Sequence, residues 1–161
     1  VPAIIGAKAP DFTLKNESGK DTGFYRVKGK KKAVLAFIRE EDDRFTREIL
    51  DYLKDDFKRI ESLDSVLIVV SPAGKDINKK LVKDMGLPFH ILSDRELSVI
   101  KKYGIYNEYD GIVGPAVFVI SRANIIAYSY AGTNPDDILE DSDILAALRA
   151  SELTGIERTV A

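Results

Sequence analysis

The clearest signal in the chain is a change of period. After Lys32 the residues Ala33-Val34-Leu35-Ala36-Phe37-Ile38 run without a polar break, as a strand buried on both faces does. A charged elbow, Arg39-Glu40-Glu41-Asp42-Asp43, follows. Phe45, Ile49, Leu50, Leu53, Phe57 and Ile60 then recur three to four apart, which predicts one apolar face of a helix. Asp43 is placed to cap that helix, where acidic side chains suit the positive dipole end. Ser65 to Val70 reads as a second buried strand, closed by Ser71-Pro72-Ala73-Gly74. A helix from about Asp76 to Met85 is expected to stop at Gly86 and Pro88.

Phe89 to Leu92 reads as a short strand. Ser93-Asp94-Arg95-Glu96 has the form of a capping box opening a helix that runs to Tyr103-Gly104. A loop from Ile105 to Gly114 leads to a strand at Ala116 to Ile120. The turn Ser121-Arg122-Ala123-Asn124 joins it to Ile125–Tyr130 as a hairpin. Ile144, Leu145 and Leu148 mark a last helix. Residues 1–31 are rich in turn formers around the short extended piece Phe12-Thr13-Leu14. Strand–helix alternation followed by a hairpin predicts an α/β fold: a mixed sheet, parallel at its centre, antiparallel at one edge, with helices on both faces.

Composition narrows the chemistry. The 161 residues suit one domain, expected to span 1–161 with its core at about 6–151. Lys and Arg number 24 against 26 Asp and Glu, a net charge of −2, so no nucleic-acid partner is expected. No apolar run approaches the ~20 residues of a membrane helix. The chain begins at Val1 without a signal pattern, and a cytoplasmic location is expected. Cysteine is absent and His90 is the one histidine. That excludes disulfides, a thiolate nucleophile and zinc–thiolate sites. Absent glutamine with abundant Lys, Glu and Ile leans towards a thermophile composition.

Four stretches together resemble the peroxiredoxin-like redoxins of the alkyl hydroperoxide reductase/thiol-specific antioxidant (AhpC/TSA) family. They are Gly6-Ala7-Lys8-Ala9-Pro10-Asp11-Phe12-Thr13-Leu14, then Gly29 to Phe37, then Pro88 to Asp94 with Tyr103-Gly104, then Pro115 to Ile120. The resemblance implies a thioredoxin-like fold and antioxidant oxidoreductase ancestry. In that family a proline, a threonine and the peroxidatic cysteine lie between the first core strand and the long helix. Counted from Phe37 without gaps, those positions fall on Arg39, Asp43 and Thr46. If a relative with paired cysteines is the template, the cysteines fall on Asp43 and Thr46. Pro115 takes the place of the family's late arginine, and the thioredoxin-like likeness implies a cis bond after Gly114, beside the Asp43–Thr46 turn.

Peroxide cleavage needs a polarisable thiolate, activated by a helix N-terminus and a cation. A threonine hydroxyl is far less acidic, and no neighbouring base stands in the sequence to activate it. No thiol peroxidase activity is therefore expected. The leading expectation is a non-catalytic binding or assembly module without a cofactor, as a homodimer or paired with a cysteine-bearing relative. The alternative is an enzyme of another class, with Arg39, Asp43, Arg44 and Thr46 around an anionic or carbonyl ligand. A site plugged by Phe45 or Arg39 would favour the module.

Other clusters have plain readings beside their chemical ones. Glu40 to Asp43 could hold a hard cation, but acidic residues at a helix start are ordinary capping, and no metal is expected. His90 reads as a satisfied or surface histidine. Lys28 and Lys30-Lys31-Lys32 could contact phosphates, yet lysines in a turn before a strand are ordinarily solvated. Ser71-Pro72-Ala73-Gly74-Lys75 lacks the first glycine and the Ser/Thr of a phosphate loop, so it is a turn. Tyr103, Tyr106, Tyr109, Tyr128 and Tyr130 suit either a partner surface or internal packing.

Overall fold

The uninterrupted apolar run becomes β3 (Lys32–Phe37), near the middle of a seven-stranded sheet. The computed structural model describes residues 4–39, 44–109, 111–131 and 143–151. In chain order the elements are β1 (Thr13–Asn16), β2 (Asp21–Gly23), α1 (Phe24–Lys28), β3, α2 (Arg44–Ser62), β4 (Ser65–Ser71) and α3 (Lys75–Met85). They continue with β5 (Ile91–Ser93), α4 (Ser98–Lys102), β6 (Tyr106–Asn107), β7 (Ile112–Val113), β8 (Ala116–Ile120) and β9 (Ile126–Ala131). A helix over 143–151, α5, closes the described chain. Among the described residues no helix is long and apolar enough to cross a membrane.

The sheet order is β2-β1-β5-β4-β3-β8-β9. The β3–β4 and β4–β5 pairs are parallel; β3–β8 and β8–β9 are antiparallel. The mixed sheet expected from the alternation is thus present. A second antiparallel edge, made by β1 and β2, was not in the sequence pattern. Its turn residues conceal two very short strands, too brief to show a period. The loop from Ile105 to Gly114 likewise contains the small β6–β7 ladder.

Alternation along β3 builds two cores. Ala33, Leu35 and Phe37 face one side, packed with Phe12, Phe24, Ile100, Tyr103 and Phe118. Val34, Ala36 and Ile38 face the other, against Leu50, Leu53 and Ile60 of α2, Leu81 of α3 and Leu148 of α5. Period two on the strand meets period 3.6 on the helices, and each leucine so buried contributes about 1.5–3 kcal/mol. The ring of Tyr103 lies 5.1 Å from Phe37, 5.2 Å from Phe118 and 6.3 Å from Phe12. Its hydroxyl donates to the Pro10 carbonyl at 2.6 Å. Burial, with Tyr25 and Asp11 nearby, pushes that phenol well above its ordinary pKa. Tyr103 is thus core, not partner surface. Tyr128 and Tyr130 pack partly against the second core, whereas Tyr109 is fully exposed.

The capping box at Ser93 does not form. Ser93 is drawn into the sheet opposite Lys15 and Ser71, and its hydroxyl accepts the Asn78 amide N–H at 2.9 Å. Ladder pairing wins over the local cap. Asp94, buried, takes the role instead: its Oδ2 accepts the Ile100 N–H at 2.8 Å, and its Oδ1 lies 3.4 Å from the Ser98 hydroxyl. The helix starts only at Ser98, after Leu97 turns through φ 63°. Gly86, by contrast, ends α3 as expected, at φ 60°, with its N–H donating to Lys83.

Candidate functional site

At the carboxyl end of β3 the chain must leave a buried strand and begin α2. Thr46 makes that junction. It is fully buried, and its Oγ1 accepts the Arg39 N–H at 3.0 Å. A backbone donor that the strand no longer satisfies is met by a side chain in the first turn of the helix. Phe45 and Arg39, the two side chains expected as possible plugs, are half-buried. Arg44 is exposed and points along the surface, its Nε donating to Glu48 Oε1 at 3.0 Å. The structure therefore brings Arg39 and Thr46 together and ties Arg44 to Glu48. Asp43, expected as the cap of α2, and the acidic run from Glu40 lie outside the described residues.

Pro115 belongs to the same end of the sheet. Ala116 pairs with Phe37, so Pro115 stands one step further, alongside Ile38. Its peptide bond is trans, which corrects the cis expectation. The Gly114 N–H donates to the Ile105 carbonyl at 2.8 Å, and the next residue is already in the ladder. An extended entry of this kind is met by the ordinary trans isomer, which X–Pro bonds favour by ~0.5–1 kcal/mol.

His90 is a surface histidine, as expected. It precedes β5, with Nδ1 2.7 Å from Glu17 Oε2. Glu17 is buried and also accepts the Ile91 N–H at 2.9 Å, so the pair fastens the β1–β2 turn to β5. Glu17 was not legible in the sequence, because its partners lie more than seventy residues away. Among the described residues no three His, Asp or Glu side chains come together as metal ligands.

The lysines overturn an expectation. Lys30 and Lys31 are exposed, but Lys28 and Lys32 are buried. Lys28 Nζ donates to the Arg122 carbonyl at 3.2 Å and lies 3.4 Å from that of Gly29. Lys32 Nζ reaches the Leu148 carbonyl at 3.4 Å on α5. The long aliphatic stems pack inwards while the ammonium groups meet the carbonyl ends of neighbouring segments, a pairing that local sequence does not reveal.

Residues 5–129 match the AhpC/TSA family. The chain is 30% identical over 151 residues to alkyl hydroperoxide reductase E of Mycobacterium tuberculosis, covering 91% of this chain and 98% of that one. It is 25% identical over 126 residues to the chloroplastic peroxiredoxin Q of Triticum aestivum, covering 78% of this chain and 58% of that one. Among solved structures, Enterococcus faecalis AhpC superposes with a TM-score of 0.84 at 15% identity, over 96% of this chain and 95% of that one. Peroxidoxin BcpB of Mycobacterium tuberculosis gives a TM-score of 0.80 at 19% identity, over 91% and 96%.

Proposed function

The chain belongs to the AhpC/TSA family and carries no cysteine, and from that premise we propose that it is a redoxin-fold binding or assembly module without thiol peroxidase activity. The observation that supports this reading is Thr46. It occupies the position that the family likeness assigns to the peroxidatic cysteine, and it is buried with its oxygen accepting the Arg39 N–H. A hydroxyl held there keeps its proton and is screened from solvent, so it serves as a structural tie. No residue of the chain can form a sulfenic acid. The alternative, an enzyme using Arg39, Asp43, Arg44 and Thr46 on an anionic or carbonyl ligand, gains nothing from Arg44, which pairs with Glu48.

On this reading the partner is a second copy of the chain or a cysteine-bearing relative. One domain over 1–161, with its core at about 6–151, a cytoplasmic location and no cofactor belong to the same reading. Two measurements test it. Metal-free protein should consume hydrogen peroxide and alkyl hydroperoxides no faster than buffer, with thioredoxin or dithiothreitol as reductant. Sedimentation velocity should show a species larger than the monomer, alone or mixed with a cysteine-bearing relative. Peroxide turnover clearly above buffer would overturn the loss of activity. A monomer in both sedimentation arms would overturn the assembly role.

A further inference from the structure

Between α4 and β8 the small β6–β7 ladder pairs Tyr106 with Val113 and Asn107 with Ile112, and Tyr109 lies in the turn that joins them. Of the chain's seven tyrosines, all among the described residues, Tyr109 alone is exposed. We propose that Tyr109 is a site of one-electron oxidation, at which two copies of the chain become joined by a dityrosine bond. The proposal does not depend on how Thr46 is read, or on the assembly role, because collision of two copies suffices.

Short-range bonds set the turn. Asn107 Oδ1 accepts the Tyr109 N–H at 3.0 Å, and the Asn107 carbonyl accepts the Gly111 N–H at 2.8 Å. Gly111 takes φ 69°, which a side chain would strain. The backbone is thereby held in a defined bend while the Tyr109 ring stands in solvent.

Oxidising a phenol by one electron also removes its proton, so the proton needs a way out. Tyr103 and Tyr25 offer none: their hydroxyls donate to the Pro10 and Ala9 carbonyls, which are not bases. Burial above all, and then nearby charge, raises both phenols over their ordinary pKa. Tyr106 is half-buried, with the Lys101 ammonium 5.1 Å from its ring centroid, and a cation over a ring opposes the loss of an electron. Tyr52, Tyr128 and Tyr130 are half-buried, and the Tyr130 hydroxyl is closed off from solvent. The chain has no cysteine to take the oxidising equivalent first, and its one methionine, Met85, packs against the second core. Tyr109 is left as the phenol whose proton passes directly to water and whose ring a second copy can reach.

The step balances with a one-electron oxidant of the haem peroxidase class. Each Tyr109 phenol gives up one electron and its hydroxyl proton and becomes a phenoxyl radical. The two radicals join through the ring carbons beside the oxygens, and the hydrogens on those carbons move to the oxygens, restoring both phenols. The two electrons and two protons released reduce one hydrogen peroxide to two waters at the peroxidase.

The test treats the whole chain with a haem peroxidase and hydrogen peroxide, followed by denaturing electrophoresis, dityrosine fluorescence and peptide mass mapping. A covalent dimer is expected, with residue 109 on both sides of the cross-link. Tyr109→Phe should lose the dimer and the fluorescence, while Tyr106→Phe keeps both. Mapping in the parent chain locates the bond without relying on either variant. A cross-link between residues other than 109, an undiminished dimer in Tyr109→Phe, or a parent chain that forms no covalent dimer would overturn the proposal. Sedimentation before oxidation reads the assembly role separately, so each result stands or falls alone.

Discussion

The two ends of β3 solve opposite problems. At the carboxyl end a buried side chain, Thr46, satisfies a backbone donor and leaves no charge behind. At the amino end long cationic side chains span the fold instead: Lys28 reaches the Arg122 carbonyl, Arg122 the Lys30 carbonyl and the Asp64 carboxylate, and Lys32 the Leu148 carbonyl. In this family likeness the first end is where chemistry is expected, and here it is occupied by a hydrogen-bonded junction. The lesson is that resemblance in fold and readiness for chemistry are separable. The core that carries the resemblance packs Phe12, Phe37, Tyr103 and Phe118 ring against ring, while the chain carries no cysteine.

Variants at the two ends should separate them. The largest effect is expected at Thr46. Thr46→Val keeps the volume but removes the buried oxygen that accepts the Arg39 N–H, and should cost about 1–3 kcal/mol in chemical denaturation. Thr46→Ser keeps the oxygen and loses one methyl group, about 1 kcal/mol. A valine variant as stable as the parent would show that the junction does not depend on the hydroxyl. At the amino end, Lys30→Glu/Lys31→Glu should leave stability within about 0.5 kcal/mol, because both side chains are exposed. A large loss there would make the turn a folding element and blur the contrast.

The smallest effect is electrostatic. Asp64 is exposed and its folded pKa is depressed, so its contribution is present above the unfolded aspartate value of about 3.9. It disappears as pH falls through the lower folded value. The melting temperature of the parent should therefore exceed that of Asp64→Asn by a small, constant margin from neutral pH down to about 4, and the margin should close below that. Thermal scans from pH 7 to pH 2 check this. A margin that grows on acidification would reverse the assigned sign.

Reading the chain alone was most successful where one face of one element decides the outcome. The buried run of β3, the stripe of α2 from Ile49 to Ile60 and the stop of α3 at Gly86 are local matters of period and backbone geometry. It failed where a residue had two possible partners. Ser93 carries a good local cap signature, but the strand beside it claims it, and Asp94 inherits the helix start. At Pro115 the thioredoxin-like analogy gave the wrong isomer.

By itself, then, the sequence determined the α/β order, the two-sided burial of β3 and the absence of a thiol, because patterning and composition are properties of the chain. Only the tertiary structure decided that Thr46 accepts from Arg39, that Lys28 and Lys32 are buried, and that Arg122 lies against a turn ninety residues away. Those facts are settled by which segments the sheet brings side by side. A long polar side chain takes the nearest partner that packing offers, and sequence distance carries no record of that choice.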